Sequence, residues 1–286
     1  MIIGILAAAA ISFTGADAEF AHSFASNLVA QCTPRDAGTV RGKLAANWIL
    51  DSVSAQGADI RRDRFHAKTP KGEREFTNLY CMFHASTNAG WVVLMSHFDT
   101  KPGTSCPGAN DGASTCGLLA AFAASFSERC RPEGNVILLW TDGEECMERY
   151  CARDGLWGSK RAVESVAARK LKVKAVICLD MIGDRDLKIG IPKNTSTALR
   201  GIATRVAKTA GFRGVVCEMD ELVKDDHVPF LEAGYPSLLL IDFSYGGKPG
   251  SNEYWHTSED TMDKISKKSL AVSGRYAAAL LEELAR

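Results

Sequence analysis

The sequence predicts an α/β protein, a three-layer α/β/α sandwich around a mixed, mostly parallel sheet. Three observations carry that expectation. The runs "WVVLMSH", "VILLW" and "AVICLDM" are apolar without alternation, as strands are when both faces of a sheet are covered. Stretches of helical spacing separate them and supply the crossovers that parallel strands require. Each run is also followed closely by histidine or acidic residues, at the edge where open α/β sheets place their ligands.

The elements follow in order. Residues 19–32 and 38–56 have helical periodicity, the second with Val40, Leu44, Ala45, Trp48 and Ile49 on one apolar stripe. "ADIRRDRFHA" and "FTNLYCMFHA" alternate and predict two antiparallel strands joined by "KTPKGERE". "GWVVLMSHFDT" predicts a buried strand, and a glycine-rich loop then leads into a helix over 112–127. A strand over 135–140, a helix over 157–168 and a strand over 174–181 come next. Helices over 195–210 and 225–232, a strand over 236–242 and a C-terminal helix from residue 267 complete the pattern.

With 286 residues, 34 basic and 34 acidic, the chain has zero formal net charge and no long charge run. Nothing in it points to nucleic acid. The opening "MIIGILAAAAISFTGADAEF" holds an apolar run over 2–11, too short to span a bilayer, that ends near Ala16-Asp17-Ala18. It predicts a signal peptide cleaved after Ala18 and a secreted or periplasmic mature chain with no membrane span. The lack of Lys and Arg before the run leaves a short buried N-terminal segment as the alternative. Residues 19–286 are then expected to form a single domain.

The nine cysteines contain no CxxC, which argues against a thiolate zinc cluster. In an exported chain Cys106, Cys146 and Cys151 are candidates for pairing. The odd number leaves at least one thiol free, and Cys178 within "AVICLDM" reads as a core residue.

The polar residues beyond the apolar runs form the candidate site. "VVLMSHFD" ends in His97 and Asp99, "VILLWTDGEE" in Glu144 and Glu145, and "VICLDMIGD" supplies Asp180. The loops "GANDGAS" and "YWHTSEDT" add Asp111 and His256. Histidine, aspartate and glutamate without thiolates suit a catalytic zinc that keeps an open position. The glutamate pair then divides its work: Glu145 binds metal, and Glu144 stays free as general acid and base. Any one of these residues could instead be a strand-end cap. As a set they are like charges at one sheet edge, which repel unless a cation sits among them.

The ordered motifs "SHFDT", "GANDGAS", "TDGEE", "LDMIGD", "DDHVPF" and "YWHTSEDT" resemble the M28 family of zinc aminopeptidases and glutaminyl-peptide cyclotransferases. The likeness runs from residue 78 to the C-terminus and implies a zinc-exopeptidase fold. In two-zinc aminopeptidase members the matching residues are His97 and Asp180 on separate metals, Asp111 bridging, and Glu145 and His256 completing the set. Single-zinc animal cyclases keep the equivalents of Asp111, Glu145 and His256, so the resemblance implies one zinc or two.

Further features resemble the cyclases. "DGEECMERYCARDGLWGS" is similar to their loop after the glutamate pair, with Tyr150 where the animal enzymes have tryptophan. "DDHVPF" has their double aspartate, Asp225 and Asp226, and Trp255 before His256 matches a pocket-wall tryptophan. Two positions depart: Leu239 replaces a histidine, and Ser96 replaces one half of a disulfide whose other half matches Cys116. The favoured implication is a glutaminyl-peptide cyclotransferase acting on peptide or protein N-termini, with an M28 aminopeptidase as the alternative.

Under the cyclase reading Glu144 moves the proton from the α-amine to the departing ammonia. Asp180 and Asp225 steady that transfer, and Trp255, Tyr150 and Asp226 contact the substrate. Under the aminopeptidase reading Glu144 deprotonates a water, and Asp225 could anchor the α-ammonium. Trp255 and Tyr150 could also be packing aromatics, and His227 an N-cap or core residue. A catalytically inactive relative that binds N-termini is a third reading, opposed by the intact Glu144 and ligand set.

Overall fold

A computed structural model describes residues 11–85, 89–248 and 250–285. The hairpin β1 (Ile60–Thr69) and β2 (Gly72–Phe83) is followed by β3 (Trp91–His97), β4 (Asn135–Thr141) and β5 (Val173–Asp180). Then come β6 (Ile189–Ile191), β7 (Val216–Glu218) and β8 (Ser237–Ile241). The eight described strands form one sheet in the order β1-β2-β4-β3-β5-β8-β6-β7. The central β4, β3, β5 and β8 are parallel, while β2 and β6 run antiparallel to their central neighbours.

Helices cover both faces. α1 (Gly15–Cys32), α2 (Val40–Ser54), α3 (Thr115–Glu128), α5 (Thr197–Thr209) and α7 (Lys267–Ala285) lie on one side. α4 (Trp157–Ala168) and α6 (His227–Glu232) lie on the other. Alternation along the strands divides the core accordingly. Val92, Leu94, Leu138 and Ile177 face the first layer, and Val93, Met95, Leu139 and Val176 face the second. The three-layer expectation therefore holds.

Several local expectations are corrected. β1 and β2 run through most of the predicted connection, leaving only Pro70 and Lys71 between the paired Thr69 and Gly72. Their charged residues are tolerated because β1 is an edge strand wetted along its rim. β6 and β7 were not anticipated, since three residues are too few to show a period. On α2, Val40 and Leu44 are 74% and 56% exposed, and Ala45, Ala46, Ile49 and Val53 pack inward instead. Small alanines bring that helix close, rotating the buried face away from the bulkier pair.

The start of the described chain is part of the core. Ile11 and Phe13 are buried, with the Phe13 ring 5.1 Å from that of Phe122. Thr14 and Asp17 form a reciprocal capping box for α1, and Asp17 pairs with Arg129. The expected processing point after Ala18 therefore falls inside α1, while residues 2–10 of the apolar run lie outside the described residues.

All nine cysteines are free thiols, so the pairing considered for Cys106, Cys146 and Cys151 is not formed. The Cys146 sulfur lies 3.0 Å from Lys101 Nζ, and the Cys106 thiol faces Asp260 at 3.6 Å. Cys178 is buried in the core as expected. Among the described residues no helix is long and apolar enough to cross a membrane.

Candidate metal centre and active site

The adjacency of β4, β3 and β5 delivers residues 141–145, His97 with Asp99, and Asp180 to one rim. Asp99 fixes the glutamate pair through the backbone. Its fully buried Oδ1 accepts from the Gly143 and Glu144 N–H groups at 2.9 and 3.1 Å, and its Oδ2 from Glu145 N–H at 3.1 Å.

Asp111 sits in a π-helical turn, Ala109–Ser114, at a non-helical φ/ψ of −92° and 85°. Gly112 permits its approach, since a Cβ there would lie 2.4 Å from the His97 carbonyl oxygen. Asp260 accepts from the Asn110 and Asp111 N–H groups at 2.7 and 3.2 Å and from the Tyr245 hydroxyl at 2.6 Å. The buried Arg35 guanidinium donates to the Phe98, Pro107 and Gly108 carbonyls, tying the turn to the end of β3. His256 has a left-handed φ of 60°, uncommon for a residue with a side chain, and stacks on Trp255 with ring centroids 3.9 Å apart.

These supports converge on a compact cluster. His97 Nε2 lies 3.0 Å from Asp111 Oδ1 and 3.2 Å from Asp180 Oδ1. His256 Nε2 lies 3.3 Å from Asp111 Oδ2 and 2.7 Å from Glu145 Oε1. Asp111 thus belongs to two groups, His97–Asp111–Asp180 and Asp111–Glu145–His256, each with its ligand atoms within 4.8 Å of one another. Imidazoles and carboxylates converging in buried triads, with one oxygen of Asp111 turned to each, fit zinc in both donor type and number.

The electrostatics mark the same groups. Burial alone would lower the His97 imidazole, but the Asp111, Asp180 and Asp99 carboxylates raise it well above its ordinary value. Burial opposes a charged His256 as well, and Asp111 and Glu145 raise it to about 9. Glu144 stands outside both triads. Its carboxyl accepts from the Tyr150 hydroxyl at 3.0 Å, and burial followed by the Glu145 charge pushes its pKa well up. Asp225 is raised in the same way by burial and then by Asp180.

Asp111, Glu144, Tyr150, Asp180, Asp225 and Trp255 open onto one cleft of about 780 Å³. Asp226 does not. It is fully buried and accepts from the Thr141 hydroxyl, which places it behind the expected substrate wall. His227 is a core histidine at the first turn of α6, its buried ring next to the Asn194 backbone. Leu239 is buried beside Cys178 in the sheet. Ser96 bonds the Thr115 hydroxyl at 2.7 Å, while the Cys116 thiol donates to the His97 carbonyl at 3.1 Å.

Residue-type reasoning missed the roles of Asp99, Asp260, Arg35 and Lys101. Asp99 lies in "SHFDT" and Asp260 in "YWHTSEDT", but their spacing does not reveal that they serve backbone N–H groups. Lys101, whose Nζ is 3.4 Å from Glu145 Oε2, follows "SHFDT" directly.

This fold and site define a metallohydrolase-like α/β enzyme, and comparison with known proteins gives its family. Residues 78–281 match Peptidase family M28, and the chain belongs to that family. An Acidobacteriales bacterium glutaminyl cyclase structure is 30% identical, with a TM-score of 0.88 over 100% of this chain and 98% of that one. The Drosophila melanogaster glutaminyl-peptide cyclotransferase is 25% identical over 81% of this chain and 72% of its own length. A leucine aminopeptidase precursor from Bacteroides thetaiotaomicron shares the fold, with a TM-score of 0.81 at 20% identity over 97% and 99% of the two chains.

Proposed function

We propose that the protein is a zinc-dependent glutaminyl-peptide cyclotransferase that converts N-terminal glutamine of peptides to pyroglutamate with release of ammonia. The observation that carries this reading is Glu144: a buried carboxyl outside both triads, held by Tyr150 and open to the cleft. The likeness to the Acidobacteriales cyclase supports it over most of both chains.

Asp111, Glu145 and His256 would hold one zinc, and His97 and Asp180 could complete a second site on Asp111. Zinc bound there supplies Lewis-acid polarisation of the substrate's γ-amide and countercharge for its oxygen. Glu144 would accept a proton from the α-amine as the new C–N bond forms and return it to the leaving nitrogen. Its raised pKa suits both halves of that transfer. Asp180 and Asp225 would hydrogen-bond the amine and the leaving ammonia. Trp255 and Tyr150 would enclose the side chain and limit water, whose attack gives deamidation instead. Asp226 would act behind this wall, through Thr141 and the start of α6.

A second reading has one specific observation in its favour. Both triads are complete, so the chain could hold the metal pair of an M28 aminopeptidase, with Glu144 activating water. The N-terminal apolar run favours a secreted or periplasmic location, with one enzyme domain following it. Mass analysis of a glutaminyl and a leucyl peptide, with zinc counted per chain, tests the main reading. Loss of ammonia from the first with the peptide intact is expected; release of the first residue from either would replace the cyclase with the peptidase.

A further inference from the structure

The cleft extends well beyond its acidic end. In the register of the sheet Asp180 pairs with Ile241, Ile241 with Gly190, and Gly190 with Cys217. These four residues form one row across β5, β8, β6 and β7, and all four line the cleft. Three steps between strands of about 4.8 Å make the row about 14 Å long, the reach of about four residues of extended peptide. At Gly190 the Met219 side chain packs directly onto the backbone, since a Cβ there would meet its sulfur at 2.1 Å, and Met219 forms part of the cleft lining at that step.

The walls are apolar and the outer rim is cationic. Leu222 is 73% exposed yet lines the cleft, and Phe243 packs edge-on against Trp255 with centroids 5.5 Å apart. Lys188 and Lys224 line the same space, and neither has an ion-pair partner among the described residues. Among the described residues lining the cleft, Glu221 is the carboxylate at this end; Asp242 lies buried behind the Lys188 backbone, accepting its N–H at 2.7 Å. The carboxyl groups of Glu144, Asp180 and Asp225 therefore line one end of the cleft and two lysines the other.

We propose that this row seats the residues following the substrate's N-terminal glutamine, with preference for an apolar second residue and acidic residues at positions three and four. The cyclase reading supplies the direction of entry. The carboxyl end accepts hydrogen bonds from the α-amine and the lysines draw downstream carboxylates, so the two ends of the cleft orient the peptide. A volume of about 780 Å³ suits a ligand of several residues better than one side chain.

The test compares Gln-Leu-Asp-Asp-amide with Gln-Leu-Lys-Lys-amide by ammonia release. Calorimetry of the corresponding pyroglutamyl peptides, which cannot react further, runs in parallel. The acidic peptide is expected to show about five- to tenfold higher kcat/KM at low salt, shrinking as salt screens the exposed pairs. Joint Lys188→Glu and Lys224→Glu substitution should reverse that order in turnover and in binding. Equal handling of the two peptides, or a preference that survives charge reversal, overturns the subsite while ammonia release leaves the cyclase standing. Charge-dependent binding without ammonia release removes the cyclase and keeps the row as a peptide site. Neither binding nor ammonia release overturns both.

Discussion

At Glu144 the carboxyl is enclosed, bonded to Tyr150 and free of both triads, so its removal should separate chemistry from metal binding. Glu144→Gln is expected to lower kcat/KM by about 10²–10⁴-fold with zinc content unchanged, read by turnover and metal analysis of the same sample. Asp99 acts one step back, and Asp99→Asn keeps an acceptor oxygen for at most two of its three N–H groups while setting an NH2 donor against the rest. Zinc affinity should fall by about 10–100-fold in competition with a chromogenic chelator. His227 reports on pH. Burial lowers its pKa to about 4 from an ordinary 6.5, so the fold favours the neutral ring. That contribution is full above pH 6.5 and is lost as pH falls from 6.5 towards 4, up to about 3 kcal/mol. Urea midpoints between pH 7 and 5 should fall more steeply in the wild type than in His227→Gln. The cluster residues were legible because histidine and acid beyond buried strands are costly unless they have work to do. Asp99 and Asp260 were not, because their partners are backbone groups that sequence does not distinguish.

Among the elements, the connection from α1 to α2 matters more to the site than its sequence suggested. Arg35 emerges from it to meet three carbonyls between the end of β3 and the Asp111 turn, those of Phe98 and Gly108 buried and that of Pro107 partly so. Arg35→Met would strand those acceptors, each costing about 1–3 kcal/mol when unpaired. A loss of several kcal/mol in urea unfolding is the expected result, with Arg35→Lys intermediate. The long central strands were legible from unbroken apolar runs, and α4 from its spacing. The face of α2 was not, because Val40 and Leu44 satisfied the periodicity while alanines determined the contact. Hydropathy ranks side chains by size and polarity, whereas close helix approach rewards small ones. β6 and β7 escaped notice for lack of length, yet they build the outer half of the cleft.

Over the whole molecule the metal should act as a cross-link. The two triads draw ligands from β3, β5 and three separate loops, so a cation binds the folded state alone. Free zinc at 1,000 times its Kd would add about 4 kcal/mol, or roughly 10 °C in Tm. Chelation followed by a thermal scan measures this, and unchanged Tm after verified zinc removal would contradict it. The packing of the helices has a different consequence. α1 rests on α3 and α7, with Phe13 against Gly274 and Glu19 paired to Lys267, so the first and last described helices share one layer. A ribosome adds about 5–20 residues per second, so α7 emerges tens of seconds after α1. Throughout that interval Phe13 and Glu19 lack their C-terminal partners, so the layer of α1, α3 and α7 closes only when synthesis is nearly finished.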